Sequence, residues 1–350
     1  MKRQGFILGI CLIVCMLLIC FVGCEETKTM PAEKKITMRV PNDDEVVVHF
    51  IDVGQADCTL IMAGEEAMLV DAGNNADGDF VVRYLKKQGI KKLDYLIGTH
   101  PHEDHIGGID TVIRNFEIGT TIVPVKESTT NTFQNMLEAM AEKGYKFTKP
   151  VVGETYALGH ASFRILAPVR DYEDNLNNWS VGLLVTDGSH SMVLCGDAEE
   201  EAEEDMLAQS GDFRADILKV NHHGSSSSSC APFLQAVNPS YAVIHVGEKN
   251  EYGHPHTETM RALKARGTTI YRTDRHGSII CVWNEDIAWA TEKNIEPKKE
   301  TYILNTKSKV YHLPSCESVG EMSSKNKKSM TATVDDLQAQ GYKPCGGCRP

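Results

Sequence analysis

The segment Thr99-His100-Pro101-His102-Glu103-Asp104-His105 follows directly on the apolar run Leu93–Gly98. Side chains alternate along an extended backbone. His100, His102 and Asp104 therefore project the same way, and His105 adds a fourth group as the chain turns toward Gly107-Gly108. Four imidazole or carboxylate groups at this spacing match a Zn²⁺-type ligand set. The apolar strand before them and the glycines after them argue against a histidine-rich surface loop. Whatever fold the chain adopts must open a strand end onto a metal pocket.

Other strand ends carry the same chemistry. Asp197 follows the apolar run Met192–Gly196, His222-His223-Gly224 follows Ile217–Val220, and Asp71 closes Ala67–Val70. Adjacent histidines at 222 and 223 are interchangeable at this level. Around them the pattern is strand-rich. Val46–Val53, Cys58–Met62, Ala67–Asp71 and Leu93–Gly98 read as strands, as do Ile217–Val220, Tyr241–Val246, Thr268–Tyr271 and Ser278–Trp283. Tyr156–Leu166 and Val181–Leu194 read as hairpins. Helical spacing marks Phe80–Gln88, Thr132–Glu142, Ala198–Gln209, Phe233–Val237 and Thr257–Ala265. Antiparallel runs alternating with helices predict sheets covered by helices, an α/β sandwich, and no internal repeat is visible.

Residues 46–285 resemble the metallo-β-lactamase fold, specifically the extracytoplasmic hydrolase domain of ComEC-type competence proteins. The matching stretches are Phe50–Gln55, Leu69–Gly73, the H-x-H-x-D-H at 100–105, Gly196-Asp197, His222–Ser225 and Tyr252–His256. The resemblance implies a four-layer αββα sandwich with a metal pair at one sheet edge. It implies that His100 and His102 hold one metal, that Asp104, His105 and His223 hold the other, and that Asp197 bridges them. Asp71 would orient a ligand histidine, and His222 is the alternative to His223. Where many members place a further His ligand, Asn175–Ser180 offers Asn177 and Asn178. Ala56 replaces a usual glycine in Gln55-Ala56-Asp57. Zinc is the expected metal, with manganese as the alternative, and the implied reaction is attack of an activated water on phosphorus. His254 and His256 flank Pro255 and are candidates to meet the phosphate or the leaving oxygen. The run Ser225–Ser229 offers hydroxyl donors.

The chain of 350 residues has net charge −12, unevenly placed. Residues 44–292 carry 20 basic and 38 acidic side chains, hence −18; residues 301–350 carry 7 and 4, hence +3. The body is thus a poor non-specific polyanion binder, and the tail is the better candidate. The tail holds His312-x₃-Cys316 and Cys345-x₂-Cys348, two short-spaced ligand pairs expected to bind one structural zinc. A Cys345–Cys348 disulfide is the alternative. Tyr302, Ser308–His312 and Gly341–Cys345 resemble the small Ada-type metal-binding module. That module's first ligand is a methyl-accepting Cys; here it is His312, so methyl transfer is not implied. Such a short segment is expected to lack much of a core and to depend on its metal. Lys307, Lys309, Lys325, Lys327, Lys328 and Lys343 are candidates for docking nucleic acid.

Lys2 and Arg3 precede an uncharged apolar run, Gly5–Gly23, that ends at Cys24. Residues 1–24 resemble a bacterial lipoprotein signal, with Cys24 lipidated, although Phe21 stands where Leu is usual. An uncleaved membrane anchor is the alternative. Residues 25–43 form a polar tether, 44–292 the hydrolase body, 293–300 a charged linker and 301–350 the zinc module. The expectation is an extracytoplasmic, membrane-tethered metallohydrolase cleaving phosphodiesters, DNA first. Wall polymers or small esters are alternative substrates, and a non-catalytic DNA-capture lipoprotein is the rival class. No protein partner is identifiable.

Overall fold

Val46–Phe50 (β1) is buried along its whole length, Val46 and Val48 completely. An alternating strand achieves this only where both faces of its sheet are covered. In this computed structural model the described residues are 44–188, 190–209, 211–293 and 299–348, without the side chain of Asp335. The expected signal segment, the tether and linker residues 294–298 lie outside them.

From β1 the chain runs through β2 (Thr59–Ala63), β3 (Glu66–Val70), α1 (Gly78–Lys87), β4 (Lys92–Ile97), α2 (Glu103–Ile106), α3 (Ile109–Asn115), β5 (Glu117–Ile122), α4 (Asn131–Lys143) and β6 (Phe147–Thr148). It continues as β7 (Thr155–Leu158), β8 (Ala161–Ala167), β9 (Gly182–Asp187), β10 (His190–Leu194), α5 (Glu200–Ala208), β11 (Ile217–Lys219), α6 (Ala231–Val237) and β12 (Tyr241–Ile244). Then come α7 (Thr257–Ala265), β13 (Thr269–Arg272), α8 (Thr273–His276), β14 (Ile279–Trp283) and β15 (Ile287–Thr291). One sheet has the order β15-β14-β1-β2-β3-β4-β5-β6 and the other β13-β12-β11-β10-β9-β8-β7.

The alternation of β1 sorts the layers. Val46, Val48 and Phe50 join Ile61, Met68 and Ile97 against Phe163, Leu183, Met192 and Val243 of the other sheet. Val47 faces the opposite way, into the layer formed with α1, α3 and α4. The second sheet buries its outer face, including Leu218 and Ala242, under α5, α6 and α7. The result is the four-layer αββα sandwich. Both sheets are mixed: β3–β6 and β10–β13 pair in parallel. The sequence pattern suggests antiparallel runs between the helices, and each sheet has these together with a parallel half. Their strand ends therefore converge on one edge, where the ligand loops lie.

The tail has its own sheet, of order β18-β16-β17-β19, built from β16 (Glu300–Asn305), β17 (Val310–His312), β18 (Lys327–Ala332) and β19 (Lys343–Pro344), with α9 (Val334–Ala339) before β19. Contrary to the expectation of little core, Tyr302, Leu304, Tyr311, Ala332, Leu337 and Tyr342 bury one another. Helix α9 packs on α7: Arg261 Nε donates to the Ala339 carbonyl at 3.3 Å, and Lys264 Nζ lies 3.7 Å from Asp336. Among the described residues no helix is long and apolar enough to cross a membrane.

Candidate metal centre

The loop after β4 is held from below by Asp71, the residue that ends β3. Asp71 accepts hydrogen bonds from Thr99 N at 2.8 Å and Thr99 Oγ1 at 2.7 Å, and it takes the Nδ1–H of His105 at 2.8 Å. The loop lies close on the preceding turn because Gly107 has no side chain; a Cβ there would sit 2.2 Å from the Asn74 carbonyl carbon. With Nδ1 committed to Asp71, His105 presents Nε2 to the centre. That nitrogen lies 3.3 Å from Asp197 Oδ1 and 3.7 Å from Asp104 Oδ2. Neither His105 Nε2 nor Asp197 Oδ1 has a hydrogen-bond partner, although both are buried.

His223 completes the group. Its Nδ1–H donates to the His245 carbonyl at 3.0 Å, and its Nε2 lies 3.2 Å from Asp104 and 3.7 Å from Asp197. His222 and His223 are successive residues at positive φ, 48° and 51°, a conformation that costs energy in a side-chain-bearing residue and recurs at functional sites. The kink turns the two rings apart. His223 is buried in the cluster, whereas His222 lies at the rim with Nδ1 3.4 Å from Glu199 and Nε2 3.7 Å from Asp197. The geometry thus separates two neighbours that sequence could not.

Asp104, His105, Asp197 and His223 each place one donor atom within 4.8 Å of the others. Ligand nitrogens or oxygens about 2.0–2.2 Å from one tetrahedral ion lie roughly 3.3 Å apart, close to the separations found. The electrostatics agree. Burial opposes charge on His105, yet Asp197, Asp104 and Asp71 hold its pKa well above the ordinary imidazole value. Burial likewise opposes ionisation of Asp197, but His105 and His223 hold it well below the carboxylate range. A buried donor set this rich in carboxylate, with two unpartnered ligand atoms, fits a divalent cation.

His100 and His102 stand beside this group. His100 Nε2 and His102 Nδ1 converge at 2.9 Å, and the His100 ring centroid is 4.2 Å from that of His105. Burial, then the neighbouring His105, pushes the His100 pKa well below the ordinary value, so its ring is a neutral donor. Of the two asparagines, Asn177 lines the cleft. Asn178 is buried behind it, donating to Glu201 and accepting from Glu199 N at 2.9 Å. The cleft above holds about 530 Å³ and is lined also by Gln55, Asn74, His222, Tyr252 and His254. His254 accepts a long bond from Gln55 Nε2 at 3.4 Å, and burial with His223 nearby lowers its pKa to about 4. His256 does not line the cleft. Its Nδ1 accepts from Ser226 N at 2.9 Å and its Nε2 faces the Tyr252 carbonyl at 3.2 Å, so it braces the loop.

Several residues were not singled out from sequence. Beneath the cluster, buried Lys219 pairs with Asp57, whose Oδ1 lies 3.4 Å from His223 Nδ1 and 3.6 Å from His245 Nδ1. Buried Glu203 accepts from Asn221 Nδ2, Ser229 N and Cys230 N at 2.7–2.8 Å, clamping both ends of the His222-His223 kink. Glu199 holds the rim, accepting from Ser227 Oγ at 2.8 Å; the contact with His222 outweighs the opposing effect of burial and lowers its pKa to about 2. Lys219 carried one signal: a lysine in an otherwise apolar strand two residues before the ligand turn.

In the tail, His312, Cys316, Cys345 and Cys348 place their donor atoms within 4.8 Å of one another. Cys316 Sγ lies 3.5 Å from His312 Nδ1 and 4.0 Å from Cys345 Sγ. Sulfurs bound at about 2.3 Å to one tetrahedral ion would be roughly 3.8 Å apart. The backbone N–H groups of Cys348 and Gly347 lower the Cys345 thiol pKa toward the thiolate a metal needs. Cys345 and Cys348 are free thiols here, not the alternative disulfide.

The family description "Metallo-beta-lactamase superfamily" matches residues 51–248. Among curated proteins, ComE operon protein 3 of Bacillus subtilis is 30% identical, over 66% of this chain and 32% of that protein. Recombination protein 2 of Haemophilus influenzae is 29% identical over 66% and 28%, and Competence protein ComA of Neisseria gonorrhoeae 27% over 68% and 32%. The chain therefore spans about a third of the length of the curated relatives it matches.

Proposed function

The chain belongs to the metallo-beta-lactamase superfamily, and we propose that its body is a metal-dependent phosphodiesterase whose substrate is nucleic acid, DNA first. The observation that carries this reading is the Asp104–His105–Asp197–His223 cluster, with two unpartnered ligand atoms at the floor of an open polar cleft. The names of two relatives, one a recombination protein and one a competence protein, favour DNA over other phosphodiesters.

In this reading Asp104, His105, Asp197 and His223 would hold one divalent ion, and His100 and His102 would contribute to a second. Such ions would supply Lewis acidity, which acidifies water and screens phosphate charge. The residues of the chain do the rest. Asp71 and the His245 carbonyl fix the far nitrogens of His105 and His223. The side-chain amides of Asn74 and Asn177 offer donors to phosphate oxygens. Gln55 accepts from Gly247 N at 3.0 Å through Oε1, so its amide NH₂ is what faces His254 Nδ1. Neutral His254 then carries its proton on Nε2 and is placed to donate it to a phosphate or leaving oxygen. The tail holds one structural zinc and, through its exposed lysines, keeps the polyanion near a body of charge −18. Residues 1–43 tether the domain to the outer face of a membrane.

The test is turnover of DNA, both as plasmid and as single strand, and of a small chromogenic phosphodiester, with and without chelator. Chelator-sensitive cleavage of the small ester and of DNA in at least one form is expected. Cleavage of the small ester alone would redirect the reading to another phosphodiester, and binding without turnover would make the protein a capture device.

A further inference from the structure

Tyr252 is the most exposed of the large apolar side chains among the described residues, at 69%. A lone exposed aromatic ring is ordinary, but this one stands in the wall of the cleft. It lies nearly parallel to His254, with centroids 5.6 Å apart and planes 22° apart. His254 in turn lies 24° from the plane of His223, at 6.3 Å. Three flat rings thus step from the metal cluster to the rim.

The ring is exposed on a braced loop. Asn250 Nδ2 donates to the carbonyls of Gly247 and His254, and Asn250 Oδ1 accepts from His254 N at 2.9 Å. His256 Nε2 meets the Tyr252 carbonyl itself. A backbone held this way leaves only the side chain's own rotamer to be ordered when a partner stacks on it. The loop presents an aromatic surface to water beside the polar floor, and among the described residues His254 is the ring stacked on it.

We infer that Tyr252 is a stacking platform for a nucleobase of a single-stranded substrate, one nucleotide away from the phosphate at the metal cluster. The inference rests on the nucleic-acid reading above and names the form of the substrate. A base in an intact duplex already has both faces covered, whereas a single strand offers a free face. Base–aromatic stacking in single-strand sites is worth about 1–3 kcal/mol per base, a factor of about 5 to 150 in affinity.

The test is binding, by fluorescence anisotropy, of a short single-stranded DNA, the same strand made of abasic residues, and a blunt duplex of equal length. Wild type, Tyr252→Ala and Tyr252→Phe are compared in the full chain, and turnover of each strand is recorded separately. Tyr252→Ala should weaken the base-bearing strand by about 5- to 150-fold, leave the abasic strand and the duplex within twofold, and be rescued by Tyr252→Phe. Equal losses on the base-bearing and abasic strands would mean that Tyr252 only props His254, and would overturn the inference. So would an unchanged affinity for the base-bearing strand, no binding of it by wild type, or an equal loss on the duplex. Binding with the expected pattern but without turnover would overturn the nuclease reading and leave the platform standing.

Discussion

At the body cluster each ligand imidazole from the fold's own loops has its far nitrogen held by something else: His105 by Asp71, His223 by the His245 carbonyl. Asp57, Lys219 and Glu203 sit buried beneath, belonging to three different stretches of the chain. In the tail, His312 and Cys316 meet mainly each other and Cys345, and Cys316 and Cys348 are only half-buried. The core behind them is six residues. The body's donors are assembled by a sandwich that exists for its own hydrophobic reasons, so on the metal reading proposed above an ion would add chemistry to a formed site. The tail's donors close a sheet whose last strand is two residues long, so there an ion would be part of what holds the sheet shut.

The sharpest way to break that comparison is to remove metal from the whole chain. Structural zinc contributes about 10–16 kcal/mol in small zinc-dependent folds, above the roughly 3–5 kcal/mol net that the core of so small a unit supplies. Chelation should abolish amide-exchange protection across β16–β18, at Ile303, Leu304 and Tyr311, while β1–β3 keep theirs. Retained protection in the tail would mean that its core suffices, and the two clusters would then differ in ligand type alone.

The second largest effect is on chemistry. Asp104 is a ligand candidate in the one-turn helix α2 whose side chain is about one-third exposed. Its removal should spare the fold. Losing one such group forfeits several kcal/mol of charge stabilisation, so Asp104→Ala should lower turnover of a small phosphodiester about 10³-fold or more. The thermal midpoint of the metal-free chain should stay put. Cys345→Ser, in the tail, should leave that turnover within twofold. Comparable losses from both variants would erase the division between a catalytic and a structural cluster.

The positions of the candidate ligands at strand ends were legible because their signal is local: a nearly continuous apolar run that ends in His or Asp. The sandwich was legible for the same reason. What failed was whatever depended on distant partners or on an exact turn. His222 and His223 are identical letters, and only a left-handed kink decides which is buried. His256 reads as the mirror of His254 across Pro255, yet it bonds back to Ser226. Asp57, Lys219 and His245 come together from positions 26 to 188 residues apart. Helix α3 and strand β5 follow each other with only Phe116 between them, leaving no glycine or proline to mark the change of period. In the tail, Tyr302, Tyr311 and Tyr342 lie too far apart in a polar sequence to announce a core.

The smallest effect concerns the frame rather than either cluster. His49 is buried in β1, with Nδ1 2.9 Å from the Tyr84 hydroxyl and Nε2 without a partner, and burial lowers its pKa from 6.5 to about 4. The unfolded chain therefore binds this proton more readily than the folded one. Between pH 6.5 and 4 the unfolded state takes it up first, so stability falls as the pH falls. A depression from 6.5 to about 4 corresponds to roughly 3 kcal/mol at full expression. His49→Gln will cost packing at every pH, but it should remove this slope. Urea midpoints from pH 7 to pH 4 should therefore converge, with the variant less stable at neutrality and level with wild type, or above it, in acid. A constant gap across the range would show that His49 does not limit the body. Acid sensitivity would then belong to the ligand imidazoles and thiolates, and the contrast between a self-sufficient frame and a metal-held tail would lose its support on the body's side.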